Sequence, residues 1–458
     1  MTITVLGLGP GNPAQLTREA WSLLSKAKEV YLRTKHHPTV DFLPKHLILH
    51  SFDDLYETLD DFAAVYETIA ERVIDLGQRP QGVIYAVPGH PLVGESSVQH
   101  ILSRARKTGM PVRLIAGLSF IEPVLTALGL DGLDNLQLAD ATDLAAALHP
   151  LLDPDRPALV GQLYNRRLAS EVKLTLMNAY PDDHPLTLIQ GAGTEEERII
   201  QIPLYELDRE PHPNHLTTLY VPPLTHAASL SALQDTIARL RAPDGCPWDR
   251  EQTHQTLRPH LLEETYEVLA AIDADEPTAL CEELGDLLMQ IAMHVQIAIE
   301  EGDFFFADVI GQIDAKLKRR HPHVFGDLEV HGTEEVLRNW EAIKARERAT
   351  KGQAHRSRPD GVPIALPALA RAQALADRAD RTAEKHPNLT DLLARVGAAA
   401  ADVHHAETLQ QREEQFGDLL FALADAARLL GVNAEDALRQ ACNRFVADLS
   451  KGGDEDHA

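Results

Sequence analysis

The feature that most constrains the fold is a change of hydrophobic pattern at Pro222-Pro223. Before it, short β-branched runs alternate with longer amphipathic stretches. After it, the strand pattern stops, and Ala, Leu, Glu, Gln and Arg recur with apolar residues at helical spacing. Alternating strands and helices are typical of α/β folds. We therefore predict a multidomain chain, α/β in its first part and all-α in the rest.

The strands predicted in the first part are the runs ITVLGLG, GVIYAVPG, VRLIAG, PALVGQLY and PLTLIQGAG. Between them, apolar residues three and four apart predict helices over 18–30 and 55–76. At 458 residues the chain is also longer than one hydrophobic core usually serves. A polar stretch with two glycines and two prolines predicts a linker between two helical parts. The expected organisation is an α/β domain over 1–223, a helical domain over 226–350, a linker over 351–364 and a second helical domain over 365–452.

The two helical parts resemble each other. The segment EELGDLLMQIAMHVQIA at 282–298 matches EEQFGDLLFALADAARLL at 413–430, and each is followed by an acidic turn and a further helix. The order of elements favours one helical module used twice. Chance similarity between Ala/Leu-rich amphipathic helices stays open as the alternative, because GDLL alone would not exclude it.

The charge balance restricts the binding partners. There are 43 Lys and Arg against 69 Asp and Glu, for a formal net charge of −26. Such a surface repels phosphate backbones, so we expect no nucleic acid polymer as a partner, and a bound polyanion would need a metal ion. The three cysteines form no CxxC pair, which fits a reducing cytoplasm. With neither a secretory pattern nor a run of about 18 apolar residues, we predict a cytoplasmic protein without a membrane partner.

The strongest chemical pattern is a set of acids over LLEETYEVLAAIDADEPTALCEELGDLLMQ. Helical pitch places Glu263 and Glu264 on the same side as Glu267, and Glu283 repeats the spacing with Asp286 on the next helix. A solvated acidic face is the ordinary explanation of such pairs. Here leucines flank the acids closely, so like charges at an apolar edge would repel unless neutralised. Clustered carboxylates suit Mg²⁺, and the pattern favours a metal site.

Basic residues follow the acids in KLKRRHPHVFG and NWEAIKARE. Lys316 and Arg320 are four apart on one predicted helix, and Trp340 and Lys344 are four apart on another. A solvated basic face is the alternative, which we accept for Lys318 and Arg346. In so acidic a chain, the pattern favours contact with the outer phosphates of a triphosphate.

These motifs, with LRAPDGCPWDREQTHQTL before them, resemble the MazG family of nucleoside triphosphate pyrophosphohydrolases over 230–348, and more weakly over 366–449. The resemblance implies an all-α fold, a homodimer formed through the helical modules, Mg²⁺ dependence, and hydrolysis of a nucleoside triphosphate to the monophosphate and pyrophosphate. It implies metal binding by Glu264, Glu267, Glu283 and Asp286. It also implies substrate contacts by Lys316, Arg320, Trp340 and Lys344.

The second helical part departs from the pattern. Ala398 and Ala399 stand where the paired glutamates belong, and only Asp402 remains at the third position. Gln415 replaces the second-helix glutamate, although Asp418 is retained. Two acids hold less metal charge than four or five, so we expect this copy to be catalytically silent and structural.

The order GLGPGNPAQLT, YAVPGHPLVGESSV, AGLSFIEPVLTALGL resembles the two-lobed tetrapyrrole (corrin/porphyrin) methylases over about 1–221. The resemblance implies S-adenosylmethionine binding at Gly9, Pro10, Gly11, Gly89, His90 and Ser119. The family usually has GDP where this chain has Gly89-His90-Pro91, which removes a carboxylate from the cofactor cleft. Fusion of the two regions resembles the YabN-like proteins.

Three functions are therefore compared. The leading one is a Mg²⁺-dependent nucleoside triphosphate pyrophosphohydrolase that removes unwanted nucleotides, with Glu263, Glu264 and Glu267 as catalytic acids and Glu263 orienting the attacking water. The alternative is an S-adenosylmethionine-dependent methyltransferase of a tetrapyrrole-like substrate, whose helical half only dimerises. A third is a sensor that binds nucleotides or S-adenosylmethionine without catalysis. The sequence leaves the nucleobase preference and the methyl acceptor open.

Overall fold

The computed structural model describes residues 2–453 except 60, 210–212, 351–361 and 381–385. Its contacts divide the chain into two compact units, residues 1–306 and 307–458. The predicted linker lies mostly outside the described residues. The predicted ranges of the three domains and the linker stay predictions.

The first sheet is parallel, with strand order β3-β2-β4-β1-β5. Its strands are β1 Ile3–Gly7, β2 Glu29–Leu32, β3 Ile48–Ser51, β4 Val83–Val87 and β5 Val112–Ile115. The internal strand β1, between β4 and β5, is buried throughout. Ile3 and Val5 pack into one core and Leu6 and Leu8 into another, as expected for a sheet covered on both faces.

Five helices connect these strands or lead from the last of them to the second sheet: α1 Arg18–Leu24, α2 Asp53–Thr58, α3 Phe62–Gly77, α4 Ser96–Thr108 and α5 Ile121–Leu128. Two predicted helix extents are wrong. The helix expected over 18–30 ends at Leu24. Residues 29–32 instead form strand β2, which buries the side chains of Val30 and Leu32 completely. The helix expected over 55–76 is divided. The Asp61 carboxylate accepts hydrogen bonds from the Ala63 and Ala64 N–H groups, and this N-cap starts a new helix, α3.

The second sheet has the order β6-β7-β10-β8-β9, parallel between β6 and β7 and antiparallel elsewhere. Its strands are β6 Gln137–Asp140, β7 Ala158–Gly161, β8 Pro185–Gln190, β9 Arg198–Pro203 and β10 Thr217–Val221. The helices α6 Ala141–Ala146 and α7 Arg166–Leu176 accompany it. The N-terminal α/β prediction, with two lobes, is confirmed.

Beyond β10 the described residues form helices without strands, which confirms the all-α prediction. The first group is α8 Leu230–Arg241, α9 Pro247–Glu251, α10 Arg258–Ala274 and α11 Pro277–Glu301. The second is α12 Phe306–Arg320, α13 Pro322–Phe325, α14 Thr333–Thr350, α15 Ala368–Asp380, α16 Leu389–His405, α17 Leu409–Leu429 and α18 Ala434–Gly453. Helices α10 and α11 pack as a hairpin in one unit, and α16 and α17 do so in the other. Among the helices described, none is both long and apolar enough to span a bilayer.

Candidate functional site

The hairpin of α10 and α11 positions the predicted carboxylates. Helix α10 ends at Asp275, whose φ of 57° is left-handed and whose N–H donates to the carbonyls of Ala271 and Ile272. Pro277 then begins α11, where a missing N–H costs no helical hydrogen bond. This short turn places the acids of the two helices side by side.

Three of the predicted metal ligands come together. Glu264 and Glu267 on α10 and Glu283 on α11 each offer an oxygen, and the three atoms lie within 4.8 Å of one another. Loss of solvation, a hydrogen bond with Glu267 and the charge of Asp286 raise the pKa of Glu264. Loss of solvation and the charges of Glu267 and Asp286 likewise raise the pKa of Glu283. Repulsion between uncompensated carboxylates is what a bound cation would relieve.

Glu263 lies beside this trio and contacts a different partner. Its Oε2 is 3.7 Å from Nδ1 of His260, one turn earlier on α10. The side chain is exposed, and its charge contributes to the raised pKa of Glu264. Glu263 is therefore next to the carboxylate trio, within reach of solvent water.

Three of the predicted substrate-binding residues, Arg320, Trp340 and Lys344, meet across α12 and α14. The Trp340 ring contacts two cations, with Lys344 Nζ 3.9 Å and the Arg320 guanidinium carbon 5.8 Å from its centroid. Lys316 is half-buried one turn before Arg320, and Lys318 instead pairs with Asp314 at 2.9 Å.

Glu347, the last residue of the NWEAIKARE motif, is a functional residue that was not predicted from the sequence. Its carboxylate accepts from Arg320 Nη2 at 2.8 Å and from Arg319 Nε at 2.7 Å. These hydrogen bonds lower the pKa of Glu347 to about 2. Glu347 thereby fixes the Arg320 guanidinium beside Trp340.

The second helical copy has different chemistry at the matching positions. Ala398, Ala399 and Asp402 lie on α16, and Gln415 and Asp418 lie on α17. Within the ranges described, these positions bring no three metal-ligating groups together. The Gln415 Oε1 atom is buried without a hydrogen-bond partner.

Three glycine motifs of the N-terminal region converge. Gly9 and Gly89 pair through N–H···O bonds of 2.8 and 3.3 Å, and both have positive φ. A Cβ on Gly7 would lie 2.3 Å from the Gly89 carbonyl oxygen, and a Cβ on Gly117 would lie 2.4 Å from the same atom. Only glycine permits this approach of three loops. The loops border a cleft of about 1020 Å³.

Pro10, Gly89, His90 and Ser119 line this cleft, whereas Gly9 and Gly11 shape its loop. His90 Nδ1 accepts the Leu92 N–H at 3.0 Å, a turn bond that an aspartate at this position can also accept. Ser119 is 2% exposed, and its hydroxyl donates to Glu122 at 2.6 Å. Both side chains thus order the loops that surround the cleft.

The same cleft is lined by Arg33, His37 and Glu95, titratable groups that were not predicted from the sequence. Arg33 Nη1 pairs with Glu95 Oε2 at 3.0 Å, and Ser97 donates to the same carboxylate at 2.7 Å. Burial raises the pKa of Glu95, with the Arg33 charge opposing the shift. His37 is 7% exposed, and burial, reinforced by Arg33, lowers its pKa to about 4. His37 is therefore neutral at physiological pH.

The comparisons with known proteins match both halves. The family model described as tetrapyrrole (corrin/porphyrin) methylases matches residues 2–208, and that of the MazG nucleotide pyrophosphohydrolase domain matches 252–325. The chain is 40% identical to protein YabN of Bacillus subtilis (strain 168), over 97% of this chain and 91% of that protein. It is 44% identical to a nucleoside triphosphate pyrophosphohydrolase of Escherichia coli (strain K12), over 47% of this chain and 84% of that protein.

Among solved structures, uroporphyrin-III-C-methyltransferase from Thermus thermophilus is similar at 23% identity, with a TM-score of 0.38. The match covers 48% of this chain and 94% of that one.

Proposed function

The chain belongs to the YabN-like family, with a tetrapyrrole methylase region followed by a MazG region, and from this premise we propose that it hydrolyses nucleoside triphosphates to monophosphates and pyrophosphate. The observation that carries the proposal is the trio of carboxylate oxygens from Glu264, Glu267 and Glu283 within 4.8 Å of one another. The name of the E. coli relative, a nucleoside triphosphate pyrophosphohydrolase, supports it.

The donor set fits a hard divalent cation. Carboxylate oxygens are the ligands that Mg²⁺ takes. Loss of solvation and then repulsion from neighbouring acids raise the pKa values of Glu264 and Glu283, and a bound cation would oppose both shifts. We assign Glu264, Glu267, Glu283 and Asp286 to hold it. Bound there, Mg²⁺ supplies charge neutralisation of the triphosphate and Lewis acidity.

The remaining roles belong to the chain's own groups. Glu263 orients the attacking water, since its carboxylate is exposed beside the trio and close to His260. Lys316, Arg320, Trp340 and Lys344 bind the triphosphate. Glu347 holds the Arg320 guanidinium in place, which reduces the entropy lost when phosphate binds.

The test is pyrophosphate release from a panel of nucleoside triphosphates with Mg²⁺ and with EDTA. We expect turnover only with the metal, and turnover of non-standard nucleotides if the protein removes unwanted nucleotides from the pool. A wild-type protein that releases no pyrophosphate from any member of the panel contradicts the proposal.

We also propose that the N-terminal cleft binds S-adenosylmethionine. The supporting observation is the close contact of Gly7 and Gly117 with the Gly89 carbonyl oxygen, which fixes the Gly89 loop at the border of a cleft of about 1020 Å³. Binding of labelled S-adenosylmethionine, measured by equilibrium dialysis, should be lost in Gly89→Val and kept in Gly109→Ala. Gly109 also has positive φ, but it does not line the cleft, whereas Gly89 does. Methyl transfer stays the second candidate activity.

A homodimer through the helical modules completes the proposal. Several large apolar side chains of the hairpin remain exposed in the single chain, including Leu262, Ile272, Leu284, Leu288 and Ile291. Such a face favours association with a second copy. Sedimentation equilibrium should give twice the 50.5 kDa chain mass.

A further inference from the structure

An exposed tryptophan lies in the short helix before the carboxylate hairpin, and the reaction proposed above gives it no role. Trp248 lies in the short helix α9, and 56% of its surface is exposed. Exposing so large an aromatic surface to water is unfavourable. A ligand or partner that covers the ring would remove this cost.

The turn before Trp248 is tightly built. A Cβ on Gly245 would lie 2.3 Å from the Leu240 carbonyl oxygen, so only glycine fits there. The next N–H, of Cys246, donates to that carbonyl at 2.7 Å. The backbone that leads into α9 is therefore fixed against the end of α8.

Arg241 anchors the other side of α9. Its side chain is 6% exposed, and it donates to the carbonyls of Asp249 and Gln252. The same guanidinium forms two hydrogen bonds with Glu300 of α11, at 2.9 and 2.7 Å, and these lower the pKa of Glu300. A buried arginine thus ties α9 to α8 and α11 while the Trp248 ring stays exposed.

The exposed ring is linked to the carboxylates through His260. The Trp248 and His260 rings meet edge to face, with centroids 6.2 Å apart, and His260 Nδ1 is 3.7 Å from Glu263 Oε2. Glu263 directly precedes Glu264 of the trio. The Trp248–His260 pair therefore adjoins the carboxylate cluster through Glu263.

We propose that Trp248 is the platform on which the nucleobase stacks while the carboxylates take the triphosphate. The inference rests on the proposed function. Stacking tolerates any base, because every base has a π face. The tryptophan among the predicted substrate-binding residues, Trp340, contacts the cations Arg320 and Lys344, which suits it to the phosphates.

The test measures binding without turnover, by calorimetry in Mg²⁺. One probe is α,β-methylene-ATP, which carries a base and cannot be cleaved at its α,β bridge; the other is inorganic tripolyphosphate, which has no base. Trp248→Ala should weaken binding of the nucleotide about 10- to 100-fold and leave the tripolyphosphate Kd within about twofold. Trp248→Phe should keep most of the affinity. Trp21→Ala, an exposed tryptophan of α1, is the matched control and should change neither Kd.

The outcomes separate the two proposals. If wild-type protein binds neither probe, the proposed function is wrong, and this inference is wrong with it. If wild-type protein binds both probes but Trp248→Ala weakens them equally, or weakens neither, only the stacking role is wrong. An altered sedimentation coefficient of Trp248→Ala with an unchanged nucleotide Kd would assign the ring to contact with a second copy and overturn its assignment to the base.

Discussion

The two helical hairpins of the chain share a scaffold and differ in charge. In both, apolar residues at helical spacing pack two long helices together, α10 with α11 and α16 with α17. The first hairpin gathers the carboxylates of Glu264, Glu267 and Glu283, and none of the ion pairs found among the described residues involves them. The second has alanines or glutamine at three of the corresponding positions. The apolar residues that pack the helices are thus different from the acids that would bind a metal. A copy can therefore lose the metal site and keep the hairpin fold.

The buried acid of the second hairpin shows the contrast most clearly. Asp425 on α17 is 6% exposed and accepts two hydrogen bonds from Arg428, at 3.0 and 2.8 Å. Arg428 also donates to Asp380 at 3.0 Å. Hydrogen bonds from His386 and Arg428 lower the pKa of Asp380, whereas the pKa values of Glu264 and Glu283 are raised. The second copy thus neutralises Asp380 and Asp425 internally, whereas Glu264 and Glu283 are surrounded by other acids.

The largest expected effect is the loss of pyrophosphate release when the carboxylates of the first hairpin are neutralised. Glu264→Gln or Asp286→Asn should reduce pyrophosphate release about 10³-fold, because each removes a charge from the metal site and leaves the volume nearly unchanged. The matched control, Asp418→Asn on α17, should leave turnover unchanged. Near-wild-type rates for Glu264→Gln at equal helicity would refute the metal-site assignment.

A smaller effect is expected when the internal neutralisation of the second copy is removed. Arg428→Met should lower the free energy of unfolding by about 2 to 3 kcal/mol, since Asp425 would stay buried without its partner. Arg395 is 58% exposed and 3.8 Å from the same carboxylate, so Arg395→Met should cost less than about 0.5 kcal/mol. Urea unfolding measures both, and equal losses would mean that Arg428 contributes no more than a surface charge.

The two copies should also respond to pH in opposite directions. The folded-state pKa of Glu264 lies above its ordinary 4.5, so in EDTA its contribution to stability falls as pH rises from 4.5 through the folded value. The folded-state pKa of Asp380 lies below 3.8, so its contribution is present above 3.8 and is lost as pH falls through the folded value. Urea unfolding of Glu264→Gln and Asp380→Asn against wild type should show these opposite slopes, and Mg²⁺ should cancel only the first. If the two variants change the pH dependence of the unfolding free energy in the same direction, the acids of the two copies do not differ in their electrostatic environment.

The sequence was sufficient for features that depend on local spacing. Helical pitch alone placed Glu264 and Glu267 on one side of α10. The alternating pattern predicted five of the ten described strands, β1, β4, β5, β7 and β8, and the change at Pro222-Pro223. It failed for contacts between residues far apart in the chain. Arg241 meets Glu300 across 59 positions, and Arg33 meets Glu95. No periodicity relates such pairs, because the fold of the whole unit brings them together.

The smallest expected effect, no gain at all, comes from restoring one missing acid. Gln415→Glu puts a carboxyl where the first hairpin has Glu283, but the matching glutamates of α16 are still alanines. The Gln415 Oε1 atom is buried without a partner, so a carboxyl there would gain most by remaining protonated, which is a poor metal ligand. The change is best made together with Glu264→Gln, so that the first hairpin contributes no background turnover. We expect the double variant to release no more pyrophosphate than Glu264→Gln alone and to bind no additional Mn²⁺ by electron paramagnetic resonance. Recovered turnover would mean that the second copy needs one residue, and not a full carboxylate set, to regain the chemistry of the first.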